Sequence, residues 1–296
     1  MPIHLNSKAI QQEILAEVKL RQSTLNSQGC PTKIGILLSG YGLSSQSYLR
    51  SIQKTFRDTE VGITVDVVRI PEGTPVEAAL ERIAQLNGDP SISGILVLHP
   101  MSGFTPEEER RVFDAVDRQK DIDGMHSAMI GLLALKEPGY IPCTAEGIVE
   151  LLKRSGLPVK GRHCVIIGRG PTAGMPSILA FLNAGDATVS CCHTGTPREV
   201  LLPLLDQAEI VVIALREPDL ITKDMVGRGV AVITGGRITF DLADCRASHI
   251  ALQSSVGAMA IAMLARHALL AAESAFQGRC RLPGEGARLR QLLSLP

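Results

Sequence analysis

Apolar positions recur along this chain with two different rhythms, and their alternation predicts its elements. Ile10, Ile14 and Val18 return every fourth residue behind a polar Asn6-Ser7 start, which predicts a helix over about 7–27. Residues 33–38 form a continuous apolar run, the mark of a strand buried on both faces. A Gly/Ser loop from Ser39 to Ser45 then leads into a helix carrying Tyr48, Ile52 and Phe56 at spacings of four. A strand over 63–70, a helix over 76–86 and a strand over 94–98 follow, ending at His99-Pro100. After a polar stretch at 105–111, the periodic Ile148, Leu151 and Leu152 predict a helix starting near Thr144, which is expected to bridge two domains. Further strands are predicted at 163–168, 187–192, 210–215, 230–234 and 249–252, and a long helix at about 256–277. Short apolar runs separated by helices imply βαβ units and parallel sheets, so the fold class is α/β. The tail from Gly278, with Arg279, Arg281, Arg288 and Arg290, is expected to be a solvated end.

Length turns this rhythm into two domains, because 296 residues exceed one ordinary core. Thirty basic and thirty acidic side chains cancel, so no global field attracts nucleic acid or an anionic membrane, and neither partner is expected. The seven cysteines are odd in number and never spaced C-x-x-C, which is reduced-thiol usage. The opening Met1-Pro2-Ile3-His4-Leu5-Asn6 has no basic or apolar leader pattern, and a cytoplasmic protein is expected. The apolar stretch at 256–272 is broken by Arg266 and His267 and is short of a membrane span, so it predicts a buried helix. No metal-ligand spacing stands out.

Candidate chemistry begins at Gly168-Arg169-Gly170-Pro171-Thr172-Ala173-Gly174, which follows a predicted strand and precedes a helix. Glycines there let the backbone approach a pyrophosphate, and a helix N-terminus offers free N–H groups. The spacing is G-x-G-x-x-x-G, not the G-x-G-x-x-G of the dinucleotide fingerprint. The end of the next strand, Cys191-Cys192-His193-Thr194-Gly195-Thr196, carries no carboxylate for a ribose 2′-hydroxyl. Arg169 and the hydroxyls of Thr194 and Thr196 suit a 2′-phosphate instead, which favours NADP over NAD. His193 reads equally as a nucleotide contact and as a strand-end surface histidine.

Several segments together resemble the bifunctional methylenetetrahydrofolate dehydrogenase/methenyltetrahydrofolate cyclohydrolase (FolD-like) family. They are Ser45-Gln46-Ser47-Tyr48, Gly94-Ile95-Leu96-Val97, Lys120-Asp121-Ile122-Asp123-Gly124, Pro142-Cys143-Thr144, Gly168-Arg169, and His193 with Thr196, in the family's order. The resemblance implies two α/β domains with a cleft between them, the C-terminal one a Rossmann-like parallel sheet. It places a folate-type catalytic domain at 1–142, completed by a C-terminal helix at about 262–296, and an NADP-binding domain at 143–261. It also implies a folate-type substrate and a homodimer.

Carried over residue by residue, Tyr48 is the tyrosine that packs on folate and Asp123 the aspartate that binds the pterin. The family's catalytic lysine, four residues after the tyrosine, falls on Ile52, and its supporting glutamine on Leu98. Lys54 is a weaker alternative, since two further residues rotate a helical side chain by about 200°. His99 does not inherit the glutamine's place, because neighbouring strand residues face opposite sides. Other departures are Gly170 for a serine, Arg216 for a glycine, Thr234-Gly235-Gly236-Arg237-Ile238, and Ser254 to Ala260 in place of a proline-rich loop. The resemblance therefore predicts an NADP-dependent dehydrogenase with weak or absent cyclohydrolase activity. A non-catalytic folate or nucleotide binder, and an enzyme repurposed through His99, Arg216 and Arg237, remain as alternatives.

Overall fold

The computed structural model describes residues 3–215, 221–225, 227, 230–235 and 247–279. Arg216, Gly236, Arg237, Ile238 and the tail beyond Arg279, all singled out above, lie outside the described residues. In chain order the elements are β1 (Ile3–His4), α1 (Ser7–Ser27), β2 (Lys33–Ser39), α2 (Leu43–Asp58), β3 (Thr64–Ile70), α3 (Val76–Gly88) and β4 (Gly94–Val97). Then come α4 (Pro106–Ala115), α5 (Ser127–Ala134), α6 (Cys143–Arg154), β5 (His163–Ile167) and α7 (Gly174–Leu179), which runs on as a π turn over Ala180–Ala184. β6 (Thr188–Cys192), α8 (Arg198–Gln207), β7 (Ile210–Ile213), β8 (Ala231–Thr234), β9 (His249–Ala251) and α9 (Gln253–Arg279) complete the series.

The chain divides into two compact units, each discontinuous in sequence. One unit comprises Gln12–Tyr140 and the chain from Leu264 onward. Its sheet is parallel, in the order β3-β2-β4, with β2 central and buried along almost its whole length. Gly35 of β2 is a glycine because a Cβ there would lie 2.7 Å from Leu86 Cδ2, so α3 sits directly on the strand. Arg21 of α1 forms a forked ion pair with Glu273 of α9, Nε to Oε1 at 3.1 Å and Nη2 to Oε2 at 2.5 Å. Helix α4 occupies the polar stretch that hydropathy alone left without structure. Thr105 caps it by accepting from Glu108 N–H at 3.2 Å, while Glu108 accepts from Thr105 N–H at 2.8 Å. The sequence Thr105-Pro106-Glu107-Glu108 is a capping box with proline at the first helical position, a signal stronger than the missing apolar periodicity.

The other unit comprises Met1–Gln11 and Ile141–Met263. Its six strands are all parallel, in the order β1-β9-β8-β7-β5-β6. Strands β7 and β8 are buried at every position, as central strands covered on both faces must be, whereas β6 at the edge is partly exposed. Two features differ from the boundaries expected from the sequence. The first residues join this unit's sheet: Ile3 pairs with His249 and His4 with Ile250, and Leu5 N–H donates to the Ile250 carbonyl at 2.9 Å. The short arm covers an edge that β9 would otherwise leave unpaired. Helix α6 lies wholly in this unit. It buries Cys143, Ala145, Gly147, Ile148, Leu151 and Leu152, and Gly147 brings it against Met259 of α9, where a Cβ would lie 3.0 Å away. The chain passes between units within α1, after Tyr140 and within α9.

Lys120 shows how the first of the motif residues is used. Its ammonium group donates to the carbonyls of Leu86 (3.2 Å), Asn87 (2.8 Å) and Asp89 (2.8 Å), closing the C-terminus of α3. Lys120→Met keeps the aliphatic stem and removes the charge, so unfolding stability should fall by about 1.5–3 kcal/mol, the range for hydrogen bonds to a charged group. Urea titration reads this directly, and an unchanged midpoint would contradict the assignment.

Candidate active site

The expected site residues divide between the two units: Tyr48, Ile52, Leu98 and Asp123 in one, the glycine-rich turn and the His193 turn in the other. Helix α2 buries Ser45, Leu49, Ile52 and Phe56 as one stripe, with Tyr48 half-buried one turn before Ile52. Ile52 has no exposed surface, whereas the Lys54 side chain is 70% exposed and its Nζ lies 2.7 Å from Asp58 Oδ2. The hydrogen bond from Lys54 holds the Asp58 carboxyl below its ordinary range. Lys54 therefore faces water and belongs to the helix surface. At the helix exit Thr59 caps α2 and Glu60 adopts φ 50°.

Leu98 is buried beyond the end of β4, its N–H donating to the Leu37 carbonyl at 2.9 Å. His99 points the other way, its ring centroid 6.4 Å from that of Phe113, within the cluster that also holds Ile95 and Val97. Ser45 Oγ donates to the Pro100 carbonyl at 3.2 Å and fastens the start of α2 to the turn after β4. Ile52 and Leu98 are thus both buried apolar side chains, and neither accepts a proton. In the next loop Asp121 is buried and accepts from His126 N–H at 2.8 Å and Met125 N–H at 3.3 Å. Burial pushes its carboxyl up, and the two amides oppose that shift by favouring the charged form. Asp121 is a structural residue, and Asp123 is the half-buried aspartate of the motif.

In the nucleotide-type unit, β5 ends at Gly168, whose φ is 118° and whose N–H donates to the Cys192 carbonyl at 2.8 Å. A Cβ on Gly168 would collide with the Ala214 carbonyl at the end of β7, and one on Gly174 with the Gly168 carbonyl. The turn is folded on itself where the chain order reverses, since β6 lies on one side of β5 and β7 on the other. In open α/β sheets a ligand crevice forms at this reversal, outside the carboxyl ends of the strands. Gly170 has nothing within contact distance of a Cβ, and Arg169 beside it is exposed. His193 forms a second turn: its N–H donates to Thr196 Oγ1 at 2.9 Å, and its Nδ1 accepts from Gly195 N–H at 3.1 Å. That acceptance fixes the neutral tautomer with hydrogen on Nε2. Thr194 is exposed beside it, and Thr196 uses its hydroxyl oxygen to hold the turn. Residues Ser254 to Ala260 form the first turns of α9, with Val256, Met259 and Ala260 buried. Among the described residues no group of three His, Cys, Asp or Glu could hold a metal ion.

Comparison with known proteins now decides the family. Residues 5–123 match the tetrahydrofolate dehydrogenase/cyclohydrolase catalytic domain, and residues 142–276 the NAD(P)-binding domain of the same family. The bifunctional protein FolD of Exiguobacterium sibiricum is 34% identical over 284 residues, covering 92% of this chain and 100% of that protein. This chain belongs to the tetrahydrofolate dehydrogenase/cyclohydrolase family. Among solved structures, a 5,10-methylenetetrahydrofolate dehydrogenase from the silkworm Bombyx mori is 33% identical, with a TM-score of 0.85 over 93% of this chain and 99% of that one. A Trypanosoma brucei methylenetetrahydrofolate dehydrogenase-cyclohydrolase, complexed with NADP and an inhibitor, is 25% identical, with a TM-score of 0.84 over 95% and 99% of the two chains.

The family resemblance read from the motifs is borne out, and so are the two α/β domains and the NAD(P)-binding character of the second. Two contributors escaped the sequence reading. Ala214 closes the glycine turn from a neighbouring strand, a contact that no local pattern announces. His267 interrupts an apolar run in the sequence, and a histidine on the buried face of a helix is itself a signal that a polar partner lies opposite.

Gly168→Ala would force the turn to shift away from Ala214, because both the φ angle and the missing Cβ are required. NADP affinity is expected to fall at least about tenfold, equal to roughly 1.4 kcal/mol. Gly170→Ala, in open space, should stay within about twofold, a contrast that calorimetric titration with NADP can test.

Proposed function

We propose that this protein is an NADP-dependent 5,10-methylenetetrahydrofolate dehydrogenase whose cyclohydrolase activity is weak or absent. The observation that carries the reading is Ile52, an isoleucine with no exposed surface one helical turn beyond Tyr48. Oxidation of a methylene carbon transfers a hydride and needs mainly two rings held in contact. Opening the methenyl ring with water needs a proton acceptor as well, whose removal costs about 10²–10⁴ in rate. Ile52 and Leu98 cannot fill that role. That both side chains are buried and apolar supports the reading, because a polar group buried at either place without a partner would cost stability.

The residues present fit the remaining task. The Tyr48 ring would pack on the folate, and the Asp123 carboxylate would accept from donor groups of the pterin. The glycine turn at 168–174 leaves Gly170 open, as a phosphate-bearing cofactor requires, with Arg169 and Thr194 exposed beside it for a 2′-phosphate. His193, with its proton on Nε2, would offer a donor to the same group. When bound, NADP supplies the hydride acceptor. We further infer a homodimer formed through the nucleotide unit and a cytoplasmic location. The open edge of β6 supports the first, and the free thiols of Cys30, Cys143, Cys164, Cys191 and Cys192 support the second.

The decisive assay follows NADP reduction with methylenetetrahydrofolate alongside hydrolysis of the methenyl form. Dehydrogenation without comparable hydrolysis is expected; equal rates in both would overturn the reading, and silence in both would leave a binder or a repurposed enzyme. Ile52→Lys with Leu98→Gln should raise hydrolysis at least about tenfold above the unmodified protein. Ile52→Lys alone buries an ammonium without its support and should lower stability by roughly 3–5 kcal/mol.

A further inference from the structure

We infer that His267 is a positioning residue for Asp123, acting through the carbonyl of Ile122; the inference rests on the reading above that Asp123 holds the pterin. His267 lies on α9, past the point where that helix enters the first-described unit, and is 2% exposed. Its neighbours Ala265, Ala268 and Leu269 are buried and apolar, so an imidazole here loses its water and must find a partner. The Ile122 carbonyl is that partner, 2.9 Å from Nδ1. A carbonyl only accepts, so Nδ1 carries the hydrogen and donates it. The Tyr140 ring, its centroid 5.0 Å from that of His267 and tilted by 44°, sets the imidazole plane. Burial, with Asp121 nearby, pushes the Tyr140 phenol up and keeps it protonated.

Ile122 is held in three ways at once. Its side chain fills the notch left by Gly94, where a Cβ would lie 2.5 Å from Ile122 Cγ2. Its N–H donates to the Lys120 carbonyl at 2.8 Å, and its own carbonyl accepts from His267. This last bond orients the peptide plane shared by Ile122 and Asp123, from which Asp123 projects. On the far side, Gly124 turns at φ 72° and donates its N–H to the Asp121 carbonyl at 3.1 Å. Asp123 is therefore presented from a loop anchored before and after it. A misplacement of about 1 Å at such a group is enough to cost substantial rate or affinity.

The test compares His267→Leu, which removes the donor, with His267→Asn, whose amide nitrogen occupies nearly the place of Nδ1. In His267→Leu the KM for methylenetetrahydrofolate should rise about tenfold, with the KM for NADP within about twofold, as loss of one buried hydrogen bond predicts. Amide hydrogen exchange of Asp123 and Gly124 should quicken by a similar factor, and Asp123→Asn should raise the same KM. His267→Asn should restore the folate KM to within about threefold, a rescue that loss of packing alone would not give. If the unmodified enzyme turns over folate, a folate KM unchanged in His267→Leu, or equally impaired in His267→Asn, overturns this inference alone. If the unmodified protein neither binds tetrahydrofolate in calorimetry nor oxidises the methylene form, the functional reading falls and this inference with it.

Discussion

A parallel sheet covered on both faces has no room for a reacting group within it. That constraint organises both units of this protein. Strands β2, β4, β5, β7 and β8 are apolar almost throughout, and apart from Asp123, in the loop between α4 and α5, the residues assigned a part in binding or chemistry emerge just beyond a strand's carboxyl end or on the helix that follows. Tyr48 follows β2, Leu98 follows β4, the glycine turn follows β5, His193 follows β6 and Ala214 follows β7. The glycines at 94 and 168 serve the same constraint, since each removes the Cβ that would hold a second chain segment away from a strand end.

On the proposed reading Ile52 and Leu98 belong together. A buried lysine is held by a polar neighbour, and removing either partner leaves the other buried and unsatisfied. Two branched apolar side chains in these places are ordinary core. The helix that carries Ile52 is otherwise undisturbed, because its stripe of buried residues and its attachment through Ser45 remain. The proposed loss of one chemical step is thereby compatible with an intact scaffold for the other.

Much of this was legible in the sequence. Continuous apolar runs located every strand from β2 onward, and the order of Ser45-Gln46-Ser47-Tyr48, Lys120 to Gly124 and Gly168-Arg169 led to the family. Helical spacing alone put Ile52, not Lys54, on the buried face, and the ion pair of Lys54 with Asp58 in water agrees. What escaped the reading depends on tertiary partners. Ile3 and His4 make a strand only because β9 offers an edge. The place of α6 in one unit depends on Gly147 meeting Met259. Helix α4 is a different case, since its capping box is a local signal that hydropathy obscures.

The pairing of Ile3–His4 with β9 sets an order of events during synthesis. Strand β1 waits for partners 246 positions later, His249 for Ile3 and Ile250 for His4, and Arg21 waits likewise for Glu273. Neither unit can close while the chain is still short, so the usual route in which an N-terminal domain folds before its neighbour is made is not open to this protein.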